Sequence, residues 1–204
     1  MVEVKVLVEG GHRKNTKGDL MISATVTLIK TDKNIIVDPG SFISKDQIIK
    51  ELKKEGLTPD DIEIVILTHL HLDHTFNSFL FSKAKLFCKL AGGEYPGQVH
   101  FINEGYLQRT ESMEGLKIAK NVETIVTPGH TKDMISVVVE TLKGKVIVAG
   151  DAFPSEEFLD LDKKPNPLIS DLPEFDKSRD KILKIADYIV PGHGDIFKNP
   201  KKSD

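Results

Sequence analysis

Near the start of the chain, Val2 to Val8 and Ser23 to Ile29 alternate apolar and polar positions with the two-residue period of a strand. The polar run Glu9 to Asp19 lies between them and carries glycines near both ends, which predicts a hairpin with a long, mobile tip. Asn34 to Val37 reads as a third strand. It stops at Asp38-Pro39-Gly40, where the turn leaves the Asp38 carboxylate at the sheet edge. The period then becomes helical. Ser44-Lys45-Asp46-Gln47 has capping-box spacing, Ile48, Ile49 and Leu52 share one face, and Gly56 is placed to end the helix. Thr58-Pro59-Asp60-Asp61 turns the chain into Ile62 to Leu67, a run apolar enough to lie inside a sheet.

A strand-like run, Ala84 to Cys88, precedes a stretch to Gly115 with only weak periodicity, for which no element is predicted. Val122 to Val126, Ile135 to Thr141 and Lys145 to Ala149 read as strands, the last two joined by a tight turn at Lys143-Gly144. Phe153 to Pro173 is proline-rich without a regular pattern, a candidate cover over a site. Glu174 to Ala186 predicts a helix with Phe175, Ile182, Leu183 and Ile185 as its apolar positions. A last strand, Asp187 to Val190, follows, and Lys198 to Lys202 reads as a solvated tail. The order predicts an α/β fold of two sheets packed face to face with helices outside.

Composition narrows the class. At 204 residues and 39% hydrophobic content the chain can bury one substantial core, so a single domain over residues 1–204 is expected. With 28 basic against 31 acidic residues there is no global positive field for nucleic acid, and no stable nucleic-acid partner is expected. Cys88 is the lone cysteine, which excludes an intrachain disulfide and reads as a buried structural thiol. The strand-like start lacks a signal-peptide pattern and no run is long and apolar enough to span a membrane, so a cytoplasmic setting is expected.

The chemistry concentrates in Thr68-His69-Leu70-His71-Leu72-Asp73-His74-Thr75, where four potential metal ligands occupy six positions directly after a buried strand. If the chain stays extended there, alternation turns His69, His71 and Asp73 toward one spot, while His74 begins the next helix and faces a neighbouring one. That suits two adjacent cations. Imidazole and carboxylate without thiolate suit zinc, manganese or iron and are a poor match for calcium or magnesium. Three more sites place a ligand type beside glycine at a strand end: Gly129-His130, Gly150-Asp151 and Gly192-His193. Glycine lets the backbone turn sharply there. Five of the seven histidines belong to this set. His12 and His100 remain, candidates for substrate contact that read more simply as solvated or structural. Arg13, Lys14 and Lys17 could hold an anion but read as a solvated loop, and Ser155 and Ser170 fall in the cover.

His-x-His-x-Asp-His followed by a lone His, a lone Asp and a lone His resembles the metallo-β-lactamase superfamily over essentially the whole chain. The resemblance implies a four-layered αβ/βα sandwich. It also implies that His69, His71 and His130 hold one metal, that Asp73, His74 and His193 hold a second, and that Asp151 bridges them. Asp38 matches the family's early Val-Asp-x-Gly motif and would orient a ligand imidazole. A carboxylate at 151, with no cysteine near a metal motif, departs from the B1 group of true β-lactamases. The best overall match is the compact branch typified by metallo-β-lactamase domain-containing protein 1. It rests on Val126 to His130, Ile135 to Val139, Val148 to Asp151, Asp176-Lys177-Ser178-Arg179 and Ala186 to Gly194, and its animal members are linked to ribonuclease activity. The resemblance implies a hydrolase with two divalent cations, in which a bridging hydroxide attacks an ester, thioester, lactone, amide or phosphodiester. Asp73 would orient that hydroxide and take its proton, and the substrate would be a small molecule or RNA. A mononuclear-iron oxidoreductase of the persulfide dioxygenase type, or a metal-bound scaffold without turnover, are the alternatives.

Overall fold

The computed structural model describes residues 2–14, 16–89, 113–168 and 170–202. Two sheets stack face to face. The first has the order β1 (Glu3–Val8), β4 (Val26–Lys30), β5 (Asn34–Val37), β6 (Ile64–Ile66) and β7 (Lys85–Phe87). The second has the order β13 (Phe197–Lys198), β12 (Tyr188–Pro191), β11 (Gly144–Gly150), β10 (Ile135–Thr141), β9 (Val122–Val126) and β8 (Leu116–Ala119).

Most neighbouring strands are antiparallel, but β5 with β6, β6 with β7 and β11 with β12 are parallel. A parallel pair needs a crossover, since its second strand must start at the end where the first began. Helix α1 (Lys45–Lys54) makes the first crossover, α2 (Leu72–Thr75) with a 3-10 turn the second, and α3 (Leu172–Ile185) the third. Strands β9, β11 and β12 run in one sense because β10 opposes both β9 and β11. Their C-terminal ends, like those of β5 and β6, therefore open onto one edge.

Strand alternation sorts the core into three apolar layers. Ile135, Val137 and Val139 of β10, Val146 and Val148 of β11, and Ile35 and Val37 of β5 meet between the sheets. Val138, Ile147 and Ala149 point the other way, onto Phe175, Ile182 and Leu183 of α3. On the outer face of the first sheet Leu28, Ile36 and Val65 pack on Ile48 and Leu52 of α1. Helix, sheet, sheet and helix thus form the four-layered sandwich, each fully buried Val, Leu or Ile contributing about 1.5–3 kcal/mol. Among the described residues no helix is long and apolar enough to cross a membrane.

Several local expectations are corrected. The tip between β1 and β4 forms a two-stranded ribbon of its own, β2 (Gly11–Lys14) with β3 (Leu20–Ser23). The capping box at Ser44 does not form, because a 3-10 turn, Phe42–Ser44, precedes α1 and the Ser44 hydroxyl donates to the Ser41 carbonyl. Thr58 and Asp61 form one instead. Ile48 and Leu52 are buried while Ile49 is 40% exposed, since its position turns it off the sheet-facing stripe. Helix α3 begins at Leu172, two residues earlier than expected, because Asp171 caps it by accepting the Glu174 amide. Strands β8 and β13 are too short for a period to show. The C-terminal segment is solvated at Lys198, Pro200 and Lys201 as expected, but it is also stitched down: Phe197 pairs with Ile189, and the buried Asn199 amide group donates to the Leu183 and Ala186 carbonyls.

Candidate metal centre

All seven candidate ligands come together at the shared edge, in two groups. His69, His71, His130 and Asp151 form one, and Asp73, His74 and His193 the other, with the ligand atoms of each group within 4.8 Å of one another. Asp73 thus leaves the pair that strand alternation assigned it to. His71 is the N-cap of α2, so the extended chain ends there and helical geometry turns Asp73 toward His74.

In the first group His71 Nδ1 lies 3.1 Å from His69 Nε2 and 3.0 Å from His130 Nε2. In the second, Asp73 Oδ2 lies 3.7 Å from His74 Nε2 and 3.6 Å from His193 Nε2. Asp151 stands between them. Its Oδ2 is 3.2 Å from His130 Nε2, and its Oδ1 is 3.4 Å from His74 Nε2 and 3.3 Å from His193 Nε2. Donor atoms around a tetrahedral zinc with bonds of about 2.0–2.1 Å are about 3.3 Å apart, so both clusters have the spacing a small cation needs. His74 Nε2 and Asp151 Oδ1 are buried without a hydrogen-bond partner among the described residues, an arrangement that is costly unless a cation satisfies both. Nitrogen and oxygen donors without thiolate fit borderline divalent metals.

The far nitrogens are held by a supporting layer. His74 Nδ1–H donates to Asp38 Oδ2 at 2.8 Å, and the same carboxylate accepts the Thr68 amide at 2.8 Å and the Thr68 hydroxyl at 2.6 Å. The Thr68 hydroxyl also sits 3.1 Å from His69 Nδ1, so Asp38 orients one imidazole of each group. His193 Nδ1–H donates to the Ser23 carbonyl at 3.0 Å. Thr68 and Ser23 escape a sequence search because one lies beside the motif without being a ligand type and the other acts through its backbone. The glycine before each late ligand is a matter of space as much as of turning. A Cβ at Gly192 would lie 1.9 Å from Asp151 Oδ1, and one at Gly150 2.4 Å from Thr68 Oγ1.

Charge is distributed unevenly. Burial opposes a charge on His74, but the Asp151 and Asp38 carboxylates outweigh it and lift its pKa well above the usual histidine range. Burial likewise works against His193, and its contact with Asp151 raises it. Burial and the neighbouring His74 hold His69 well below the usual range, and burial lowers His130. Burial opposes ionisation of Asp151, yet His74 and His193 carry its carboxyl well below the ordinary range. The carboxylates thus favour protons on His74 and His193, which a cation would have to displace, while burial moves His69 and His130 toward the neutral form that ligation requires.

The centre floors a cleft of about 570 Å³. The ribbon supplies one wall with His12 and Ile22, and the predicted cover supplies the other with Ser155, Glu157, Phe158, Lys163 and Asn166. His12, expected to be solvated or structural, has its ring 5.2 Å from that of His193 at the cleft. Lys14 and Lys17 are exposed as expected. The Ser170 hydroxyl is buried away from the cleft lining. Cys88 is buried, and its thiol is pushed up to about 12 by burial and Asp133. His100 and the side chain of Arg13 lie outside the described residues.

Known proteins resemble the chain over most of its length. Residues 21–193 match the family described as the metallo-beta-lactamase superfamily. Metallo-beta-lactamase domain-containing protein 1 of Xenopus laevis is 38% identical over 200 residues, which cover 96% of this chain and 81% of that one. The chain spans only 59–62% of the human, rat and mouse proteins of that name. An N-acyl homoserine lactonase of a Bacillus species is 31% identical over 122 residues, 55% of this chain and 47% of that one. A metallo-beta-lactamase structure from Thermotoga maritima superposes with a TM-score of 0.72 at 27% identity, covering 97% of this chain and 99% of that one. The chain belongs to the metallo-beta-lactamase superfamily and is a metal-dependent hydrolase.

Proposed function

We propose that the chain binds two divalent cations, zinc in the first instance, and hydrolyses an ester, thioester, lactone or phosphodiester bond in a small substrate. The observation that carries this is Asp151, which offers one oxygen to each ligand group. When bound, the cations would supply Lewis acidity and bring the pKa of a water held between them down to about 7. His69, His71 and His130 would hold one, Asp73, His74 and His193 the other, with Asp151 between. Asp73 has a side chain 25% exposed, which keeps its carboxylate within reach of the cleft to orient the attacking water and accept its proton. Asp38 and Thr68 keep His74 and His69 in the tautomers that leave Nε2 free.

A cleft of about 570 Å³ suits a small molecule. A net charge of −3 gives no global attraction for a polyanion, so a small molecule is tried before RNA, which a local basic groove could still hold. The Bacillus lactonase favours a carbonyl ester or lactone as the first substrate to try. The test is elemental analysis of purified protein beside a panel of lactone, thioester, phosphodiester and RNA substrates, with Asp73→Asn as control. Two zinc ions per chain and chelator-sensitive turnover lost in Asp73→Asn are expected. A single iron with oxygen consumption would replace this mechanism by the oxidoreductase one, and equal turnover by the variant would refute the role of Asp73.

A further inference from the structure

The Asp176-Lys177-Ser178-Arg179 turn of α3 contains no candidate ligand, yet it reaches both sides of the cleft. Ser178 is buried, and its hydroxyl donates to the Pro128 carbonyl at 2.6 Å, two residues before His130. The same ligand loop is tied to the start of α3, where the Asp171 amide donates to the Gly129 carbonyl at 2.7 Å. A Cβ at Gly129 would lie 2.3 Å from the Phe175 backbone, so loop and helix meet with no slack.

Arg179 faces the other way and is 2% exposed. Its guanidinium donates to four carbonyls: Phe158 at 3.3 Å, Asp160 at 3.2 Å, Leu161 at 2.8 Å and Lys163 at 3.1 Å. These belong to the segment that brings Glu157, Phe158 and Lys163 to the cleft wall. Beyond the 3-10 turn Glu156–Leu159, no strand pairing satisfies that backbone, and carbonyls turned inward need a donor. The two terminal nitrogens of one planar cation meet all four, Nη1 facing three of the carbonyls and Nη2 the fourth, while Nε–H has no partner among the described residues; the single ammonium of lysine cannot reach such a spread. Asp176 Oδ1 holds the guanidinium from the solvent side at 2.9 Å. Ser178 and Arg179, consecutive in a helix, point about 100° apart, so a single turn can address two loops.

We propose that this turn is the positioning device of the cleft: Ser178 sets the His130 side, Arg179 sets the facing substrate wall, and the helix fixes the spacing between them. The proposal goes beyond the hydrolase reading and depends on it only for a kinetic readout. In the full chain, Ser178→Ala is expected to weaken Zn²⁺ binding by about tenfold in competition with a chromogenic chelator. The hydrogen exchange of the Asp160 and Lys163 amides, both bonded within the wall, should stay as in the wild type. Arg179→Lys should do the reverse, speeding exchange at those two amides by about tenfold or more while Zn²⁺ affinity stays within about twofold. On whichever lactone or thioester the wild type hydrolyses, Arg179→Lys should raise KM more than it lowers kcat. If the lysine variant does not fold, Asp176→Asn takes the charge away from the guanidinium; because the same carboxylate also accepts Lys164 Nζ at 2.8 and 2.9 Å, Lys164→Met is run beside it, and exchange in Asp176→Asn must rise beyond any rise in Lys164→Met. The proposal is overturned if loosening Arg179 leaves wall exchange unchanged, or if the two variants move affinity and exchange together. Absence of any turnover in the wild type would defeat the hydrolase reading and leave the affinity and exchange arms to decide this one.

Discussion

Gly192→Ala is the sharpest perturbation of the shared carboxylate, because it adds one carbon and changes little else. Gly192 is not among the residues with positive φ, so alanine can adopt its backbone and only space matters. The new Cβ would sit 1.9 Å from Asp151 Oδ1 and 3.1 Å from its Cγ. A carbon and an oxygen rest about 3.3 Å apart, so the carboxylate oxygen must retreat by about 1.4 Å. That oxygen is the one 3.4 Å from His74 Nε2 and 3.3 Å from His193 Nε2, so its withdrawal strips the second group of the donor it shares. Metal content should fall from two per chain toward one, with the remaining ion on the His69, His71 and His130 side. Turnover should drop by about 100-fold or more, the scale of a 1 Å misplacement at a reacting centre. Overpacking should cost only about 1–3 kcal/mol of stability, or about 2–10 °C in Tm for a chain of this size. Elemental analysis, initial rates and a thermal melt in chelator read the three quantities separately. An alanine variant that keeps two cations and wild-type kcat/KM would refute the reasoning, since Asp151 would then tolerate displacement without consequence.

Other outcomes follow from the same contacts. Asp38→Asn preserves the positive-φ backbone that asparagine tolerates but removes the charge and an acceptor for Thr68 or His74. It should weaken zinc affinity by about 10–100-fold, measured by chelator competition, and unchanged affinity would contradict the orienting role. The same variant should lose about 2–4 kcal/mol in urea denaturation of the metal-free protein. Chelation should lower Tm by about 5–10 °C relative to zinc at about a hundredfold over its Kd, and zinc should restore it; no shift would argue against binding at the centre. Burial places the Cys88 thiol at about 12, above its unfolded value near 9.0. Its contribution to stability is therefore complete below about pH 9 and lost as pH rises toward 12. Relative to Cys88→Ala, the wild type should lose about 2 kcal/mol more between pH 8 and 10.5, and parallel pH profiles would exclude this. Iodoacetamide at pH 8 should label Cys88 only as fast as the protein opens.

Much of the scaffold was readable one residue at a time. Ile135, Val137 and Val139 alternate with Ser136 and Val138 because each face of β10 meets a different apolar layer, and Ile48 with Leu52 repeats at helical spacing because one stripe of α1 is covered. The ligand types were equally plain in His69 to His74 and in the glycine-flanked His130, Asp151 and His193. Local rules failed where two structures competed for the same residues. Ser44 had the spacing of a cap but a preceding turn took its hydroxyl, and Asp73 had the parity of a strand but fell inside a helix. Short elements such as β8, β13 and the ribbon show too few residues for a period to emerge.

The sequence by itself determined which side chains could bind metal, which stretches are strands or helices, and therefore the sandwich, because these depend on residue chemistry and on neighbours a few positions apart. The family resemblance already implied that Asp151 lies between the groups and that Asp38 orients an imidazole; tertiary structure alone decided that Asp38 reaches His69 through Thr68 as well as His74, that His12 stands at the cleft, and that Ser178 and Arg179 address opposite walls. Those relations join residues 16 to 181 positions apart. Only the packing of two sheets, with their strand ends on one edge, brings such distant atoms within hydrogen-bonding reach.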